Sequence, residues 1–110
     1  MKIIYNRIIP FKGYKAMNFF GIIFARKEFK DKLTKSDLRH EEIHTYQMKD
    51  LWYIGFYILY LYWYIKGLFA FKQHKAAYYA IPFEGEAYYG QKLPSYLKFR
   101  TKNSWKAFKY

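Results

Sequence analysis

The longest uncharged stretch of the chain runs from Leu51 to Ile65 and reads LWYIGFYILYLYWYI. Placed on a helix at about 100° per residue, it shows apolar side chains on every side. Such a helix is buried either in protein or in lipid. We expect a protein core, because the stretch is shorter than the roughly 20 residues that span a hydrocarbon layer and its tyrosine hydroxyls need partners. A face lying on a membrane surface and a true span are the alternatives.

This stretch predicts a helix over about residues 52–66. We expect a bend or break near 49–52, because helices longer than about 25 residues are unusual in small domains. If the helix continued unbroken from the preceding segment, one side of it would carry His40, His44, Gln47, Leu51, Ile54, Ile58, Leu61 and Ile65. We expect the side chains on this side to be buried as well.

Residues 40–44 read His-Glu-Glu-Ile-His, an H-E-x-x-H pattern. Side chains four residues apart share a helix face, so His40 and His44 can bind one metal ion. Glu41 can then reach a water molecule on that metal and act as a general base. Upstream, Thr34 and Asp37 form a capping signal that predicts a helix over about 35–49. The competing interpretation of this segment is an ordinary solvated helix face.

The chain contains no cysteine, which excludes disulfides, cysteine zinc sites and thiol catalysis. Its 20 Lys and Arg against 8 Asp and Glu give a net charge of +12, which favours acidic partners. The chain is rich in Lys, Ile, Tyr, Phe and Asn, which AT-biased coding would produce whatever the function, so the positive charge has this alternative explanation. We expect no nucleic-acid partner, because the chain has neither a compact basic run nor a base-reading motif. Contact with a membrane surface stays open.

β-Branched and aromatic residues predict strands over 2–9, ended by Pro10, and over 19–27. Gly13 falls in the loop between them. Residues 1–7 lack the long apolar core and the cleavage site of a signal peptide, which favours a cytoplasmic location.

Pro82 suits the first turn of a short helix over about 83–91, and residues 95–110 form a basic, aromatic tail. The 110 residues predict one domain. Its expected class is α+β, with small antiparallel N-terminal strands packed on the helix that carries the motif. The long aromatic helix and the short Glu-bearing helix complete it.

Catalytic zinc usually takes three protein ligands and a water, so the motif lacks one ligand. Asp50 is a weak candidate, because Gln47 stands where a glycine would let the chain turn back sharply. His74 is the only other histidine. Glu84 and Glu86 lie on the later helix, about 200° apart, so only one of them can face the metal.

The motif together with residues 82–87, Pro-Phe-Glu-Gly-Glu-Ala, resembles the gluzincin metallopeptidases, whose third ligand is a Glu that begins an E-x-x-A pattern. The short length is similar to the minimal single-domain members, the minigluzincins. The likeness covers residues 34–90 well and the ends loosely. It implies a zincin-like fold and a zinc metalloendopeptidase that acts on peptide or protein substrates. By the same resemblance, the zinc ligands are His40, His44 and Glu84, and the general base is Glu41.

The resemblance implies two further features. A rim strand, for which residues 19–27 are the candidate, would pair with an extended substrate by β-augmentation. Tyr88 stands where the family pattern often has an Asp that orients a ligand histidine, so support for the histidines is unassigned.

The small size leaves little material for a full substrate-binding half, which suggests a latent zymogen with the tail, 95–110, over the zinc. The rival function is a non-catalytic, zinc-stabilised basic module that binds a membrane surface or an acidic partner. A membrane-embedded peptidase is a second rival. Packing or surface positions are expected for Tyr78, Tyr79, Tyr88, Tyr96, Glu42 and His74.

Overall fold

The computed structural model describes residues 2–9 and 14–109. Within these ranges the protein is α+β, as expected, with one three-stranded sheet and five α-helices. The strands are β1 (Ile3–Asn6), β2 (Ala16–Phe19) and β3 (Ile22–Arg26). The helices are α1 (Lys35–Asp50), α2 (Ile54–Phe71), α3 (His74–Ala80), α4 (Pro82–Gly90) and α5 (Tyr96–Phe99). Short 3-10 turns cover Lys27–Phe29 and Ser104–Phe108.

The expected single strand over 19–27 is wrong, because the chain reverses within it. Phe20 and Gly21 both have positive φ, at 53° and 91°, and they connect β2 to β3. Two positive φ angles are the signature of a tight hairpin turn whose twist matches its strands. Gly21 adopts this conformation without a Cβ penalty.

The expectation of purely antiparallel strands is also wrong. The sheet order is β1-β3-β2, and β1 runs parallel to β3 while β2 runs antiparallel to it. β1 is shorter than expected because Asn6 turns the chain, its side-chain oxygen accepting from the backbone N–H groups of Ile8 and Ile9 at 2.8 and 2.7 Å. Pro10 and Gly13, expected to stop a strand and to form a loop, lie outside the described residues.

The predicted start of α1 is confirmed by a capping box. Thr34 Oγ1 accepts from the Asp37 backbone N–H, and the Asp37 carboxylate accepts from the Thr34 backbone N–H, both at 3.0 Å. The break expected near 49–52 falls after Asp50, where Trp52 and Tyr53 have positive φ. The next helix was expected over 52–66, but α2 starts two residues later and continues to Phe71.

The expected burial of the aromatic helix is wrong for one of its sides. Only Phe56, Trp63 and Gly67 of α2 are buried, and Ile54 and Ile58 are 68% and 63% exposed. The interruption between the two helices prevents this side from continuing the histidine face of α1. By length and composition α2 could cross a membrane, and 17% of it is buried inside the protein.

The core lies between α1, α2, α4 and the tail. Its buried cluster contains Met48, Phe56, Trp63, Ile81, Phe83 and Trp105. Helix α3 follows α2 and leads to α4. Gly67 lets α3 approach α2 closely, since an added Cβ there would lie 2.9 Å from the Ala77 backbone. Pro82 occupies the first turn of α4, as predicted.

The tail packs against the core through a buried ion network. Arg100 donates to Glu86 at 2.7 Å and to Asp50 at 2.9 Å, and Tyr96 donates to Glu86 at 2.6 Å. The Trp105 ring lies 4.7 Å from that of Phe83. These contacts make the tail part of the folded core.

Replacing Arg100 by Met should lower the free energy of unfolding by about 3–5 kcal/mol, because it leaves the Glu86 charge buried without its cation. Chemical unfolding of the metal-free protein, followed by circular dichroism, measures the change. Lys102→Met is the matched control, since Lys102 is exposed. An equal loss in both variants would contradict a structural role for the network.

Candidate metal centre

Three ligand atoms from two helices meet inside the protein. His40 Nε2 and His44 Nε2, both on α1, lie 3.2 Å apart, and Glu84 Oε1 on α4 lies 3.1 and 3.2 Å from them. The three residues are buried, with 8%, 5% and 4% of their surfaces exposed. This group could bind a metal ion. The structure thus brings together the two histidines and Glu84, the acid favoured by the family resemblance.

The spacing of these atoms fits a tetrahedral ion. Ligand atoms at about 2.0–2.1 Å from such an ion lie about 3.3–3.4 Å from one another. The triangle of the three ligand atoms, with sides of 3.1–3.2 Å, is close to this size. The donor set of two imidazoles and one carboxylate also suits zinc.

His44 is oriented by Gln47, one turn further along α1. The Gln47 amide nitrogen donates to the Phe83 carbonyl and to Glu86 Oε1, both at 2.9 Å. Its amide oxygen therefore accepts from His44 Nδ1 at 2.8 Å. With the ring proton on Nδ1, the lone pair of Nε2 is available to a metal.

His40 is oriented by Gln91, which follows α4. Gln91 Oε1 accepts from His40 Nδ1 at 2.6 Å. The Gln91 backbone carbonyl accepts in turn from Ser36 Oγ and from Arg39, which ties it to α1. Tyr88 packs edge-on against His40 with ring centroids 4.5 Å apart. A neutral amide and an aromatic ring thus support this histidine.

Glu84 is oriented by Tyr60 of α2. The Tyr60 hydroxyl donates to Glu84 Oε2 at 2.5 Å, which leaves Oε1 facing the histidines. Burial, and then the Glu84 charge, raise the pKa of Tyr60 well above its ordinary value, so the phenol stays a neutral donor. Each of the three candidate ligands therefore has its own polar support.

The electrostatics of the metal-free site favour a cation between the ligands. Burial lowers the pKa of His44, but the charge and hydrogen bond of Glu84 outweigh burial and raise it to about 9. Burial raises the pKa of Glu84, and the two histidines outweigh it and hold that pKa below its usual range. A proton therefore occupies the group near neutral pH when no metal does.

Glu41 lies beside the three ligands with an unused acceptor. Its Oε2 atom is buried and has no hydrogen-bond partner among the described residues. Burial raises the pKa of Glu41 above its ordinary value. The backbone is fixed because Asn18 of β2 donates to the Glu41 carbonyl at 2.7 Å. The carboxylate is thus positioned to accept a proton from a group that enters the site.

Two cavities of about 560 Å³ each open beside Glu41. The residues shared by both linings are Tyr14, Ala16, His40, Glu41, His74 and Tyr78. The first cavity also has charged walls, from Lys15, Asp37 and Lys75. The second has apolar walls that include Met17, Met48 and Phe56.

The described part of the tail does not cover this site, contrary to the expectation of a tail over the zinc. No residue after Gln91 lines either cavity in the described range, which ends at residue 109. Tyr96, Arg100 and Trp105 instead contact α4 and the core. The ion network turns the tail toward Glu86 rather than toward Glu84.

The other candidate ligands lie outside the metal group. Asp50 and Glu86 are paired with Arg100. His74 is exposed, and its two ring nitrogens contact the hydroxyls of Tyr14 at 3.2 Å and Tyr64 at 2.8 Å.

Comparison with known proteins adds no relative, because no family model, curated protein or solved structure matches this chain.

Glu84→Gln should abolish tight metal binding, because the amide keeps the shape of the side chain but removes its charge. We expect the affinity for zinc to fall at least about a hundredfold. This is more than the loss of about 10–100-fold that usually follows removal of a residue that only supports a metal ligand. Competition with a chromophoric chelator measures it. Glu42→Gln is the control, as Glu42 lies outside the metal group. Equal affinity in the two variants would contradict the assignment.

Metal binding should release protons at neutral pH. Because the pKa of His44 is raised to about 9, the proton competes with metal below that pH. The apparent affinity should rise about tenfold per pH unit as pH increases toward 9 and then level off. Calorimetry in buffers of different ionisation enthalpy counts the protons released. His74→Gln should leave the count unchanged, and a wild-type count of zero would refute competition at His44.

Proposed function

We propose that this protein is a zinc-dependent metallopeptidase that hydrolyses peptide bonds. The observation that carries the proposal is the unpartnered Glu41 Oε2 beside the converging His40, His44 and Glu84 atoms. A metal site that served only the fold would have no need of a buried carboxylate with a free oxygen. Two cavities large enough for amino-acid side chains meet at the same carboxylate.

In this proposal His40, His44 and Glu84 hold the metal. A zinc ion bound there supplies Lewis acidity toward the scissile carbonyl and the attacking water. Glu41 accepts a proton from that water through its unused oxygen and returns it to the leaving amine. Its raised pKa suits both steps, because a carboxylate with a pKa nearer to neutrality accepts and donates more evenly.

The substrate strand is proposed to pair with β2 rather than with the strand expected over 19–27. Within residues 2–9 and 14–109, β3 has a neighbour on each side, whereas β2 is an edge strand that lines the cavities. The Arg26 N–H donates to the Lys15 carbonyl at 3.2 Å. By the alternation of an antiparallel ladder, the backbone groups of Ala16 and Asn18 therefore point away from β3. They are available to an extended peptide, whose apolar side chain would enter the second cavity.

A non-catalytic, zinc-stabilised module at a membrane surface is the second candidate, favoured by the exposed apolar side of α2. The two candidates differ in what they require of Glu41, since a metal that only stabilises the fold needs no general base. We place the enzyme in the cytoplasm, because the chain lacks cysteine, as suits a reducing compartment.

Glu41→Gln should retain zinc and lose at least about a hundredfold in peptide cleavage, because a general base contributes about 10²–10⁴ to the rate. Hydrolysis of a fluorogenic peptide mixture rich in apolar residues measures activity, and metal analysis checks zinc content. Glu42→Gln is the neighbouring control and should cleave like the wild type. Unchanged cleavage by zinc-loaded Glu41→Gln protein would disprove the role of Glu41. A zinc-loaded wild type that cleaves no peptide would favour the binding module.

A further inference from the structure

One side of α2 carries a continuous set of exposed apolar side chains. We call this set the α2 outer face. Its members are Ile54, Ile58, Leu61, Tyr62, Ile65 and Phe69. Their exposed fractions lie between 43% and 80%, although isoleucine, leucine and phenylalanine are among the residues most often buried in proteins.

The α2 outer face is one stripe rather than scattered positions. At about 100° per residue its six side chains fall within an arc of about 100°, over a length of about 22 Å. Lys66, the only charged residue of α2, lies outside this arc, with its Nζ 4.6 Å from the Trp63 ring. An exposed apolar stripe of this extent marks a surface that contacts another apolar phase or a partner.

Basic residues stand at both ends of the stripe. Trp52, which is 86% exposed, precedes its first residue, and Lys49 lies in the last turn of α1 just before it. Exposed Lys72 and Lys75 follow its other end. The whole chain has a net charge of +12. An apolar stripe bordered by lysine and tryptophan complements the anionic headgroups and acyl chains of a lipid leaflet.

We propose that the α2 outer face docks the protein on an anionic membrane surface, with the α2 axis parallel to the bilayer plane. The six apolar side chains enter the boundary between headgroups and acyl chains, and the lysines contact lipid phosphates. This role does not depend on the proposed peptidase activity.

The packing of α2 favours this orientation over a span. The opposite side of the helix holds Phe56 and Trp63 in the core and Gly67 against α3. A transmembrane orientation would separate those contacts, whereas an in-plane orientation keeps all of them.

The charge of the chain favours lipid over a second copy of the protein. Two copies joined through this face would bring two bodies of charge +12 together, which opposes association. An anionic leaflet instead attracts the same charge.

Vesicle co-sedimentation tests the proposal with the zinc-loaded full chain. The probes are vesicles of phosphatidylcholine alone and of phosphatidylcholine mixed with phosphatidylglycerol. We expect binding to the mixed vesicles, weaker binding to the neutral ones, and loss of the difference in high salt. The double variant Ile58→Gln/Ile65→Gln should bind the mixed vesicles about a hundredfold more weakly, because each change removes a buried apolar side chain from lipid.

Phe99→Gln is the matched control, because Phe99 is 79% exposed on α5 and outside the stripe. It should bind like the wild type, and equal thermal unfolding of all variants shows that they fold. No binding by the wild type, or equal binding by the double variant, would overturn the proposal. Resistance of the bound protein to alkaline extraction would indicate a membrane span and would also overturn the proposal. A dimer that forms without vesicles and is lost in the double variant would do the same. None of these results bears on peptide cleavage.

Discussion

The structure depends on holding three acceptor atoms together away from water. His40 Nε2, His44 Nε2 and Glu84 Oε1 offer lone pairs to one another at 3.1–3.2 Å, which is unfavourable unless a cation lies between them. Neutral groups support all three, and the histidines hold the pKa of Glu84 below its usual range, so Glu84 carries the negative charge among the three ligands. A cation between them, either a metal ion or the proton on His44, offsets this charge.

The helix that carries the motif could be predicted from sequence because its signals are local. Thr34 and Asp37 cap the start of α1, and a four-residue spacing puts His40 and His44 on one face whatever the rest of the chain does. The supporting residues gave weaker signals. Gln47 lies on the same helix face as the two histidines. From the sequence, however, it indicated only that the chain does not turn back sharply enough for Asp50 to be the third ligand. Gln91 follows the end of a helix, where no periodicity marks it, and only the fold brings it to His40.

The hairpin and the orientation of α2 could not be predicted, for two different physical reasons. The apolar pattern typical of a strand continues through Phe20 and Gly21. A two-residue turn requires positive φ at both positions but no interruption of the apolar pattern, so the pattern does not reveal the turn. In α2 every side is apolar, so periodicity gives no polar side to assign to solvent. The break at Trp52 and Tyr53, with positive φ in aromatic residues, then decides which side faces the core.

The chain of contacts from the tail to the metal group also sets an order of assembly during synthesis. Arg100 binds Glu86, Glu86 accepts from the Gln47 amide, and Gln47 orients His44. A nascent chain that already contains the histidines and Glu84 still lacks the cation that neutralises Glu86. The support of His44 by Gln47 is therefore complete only after the segment around Arg100 has packed against α4.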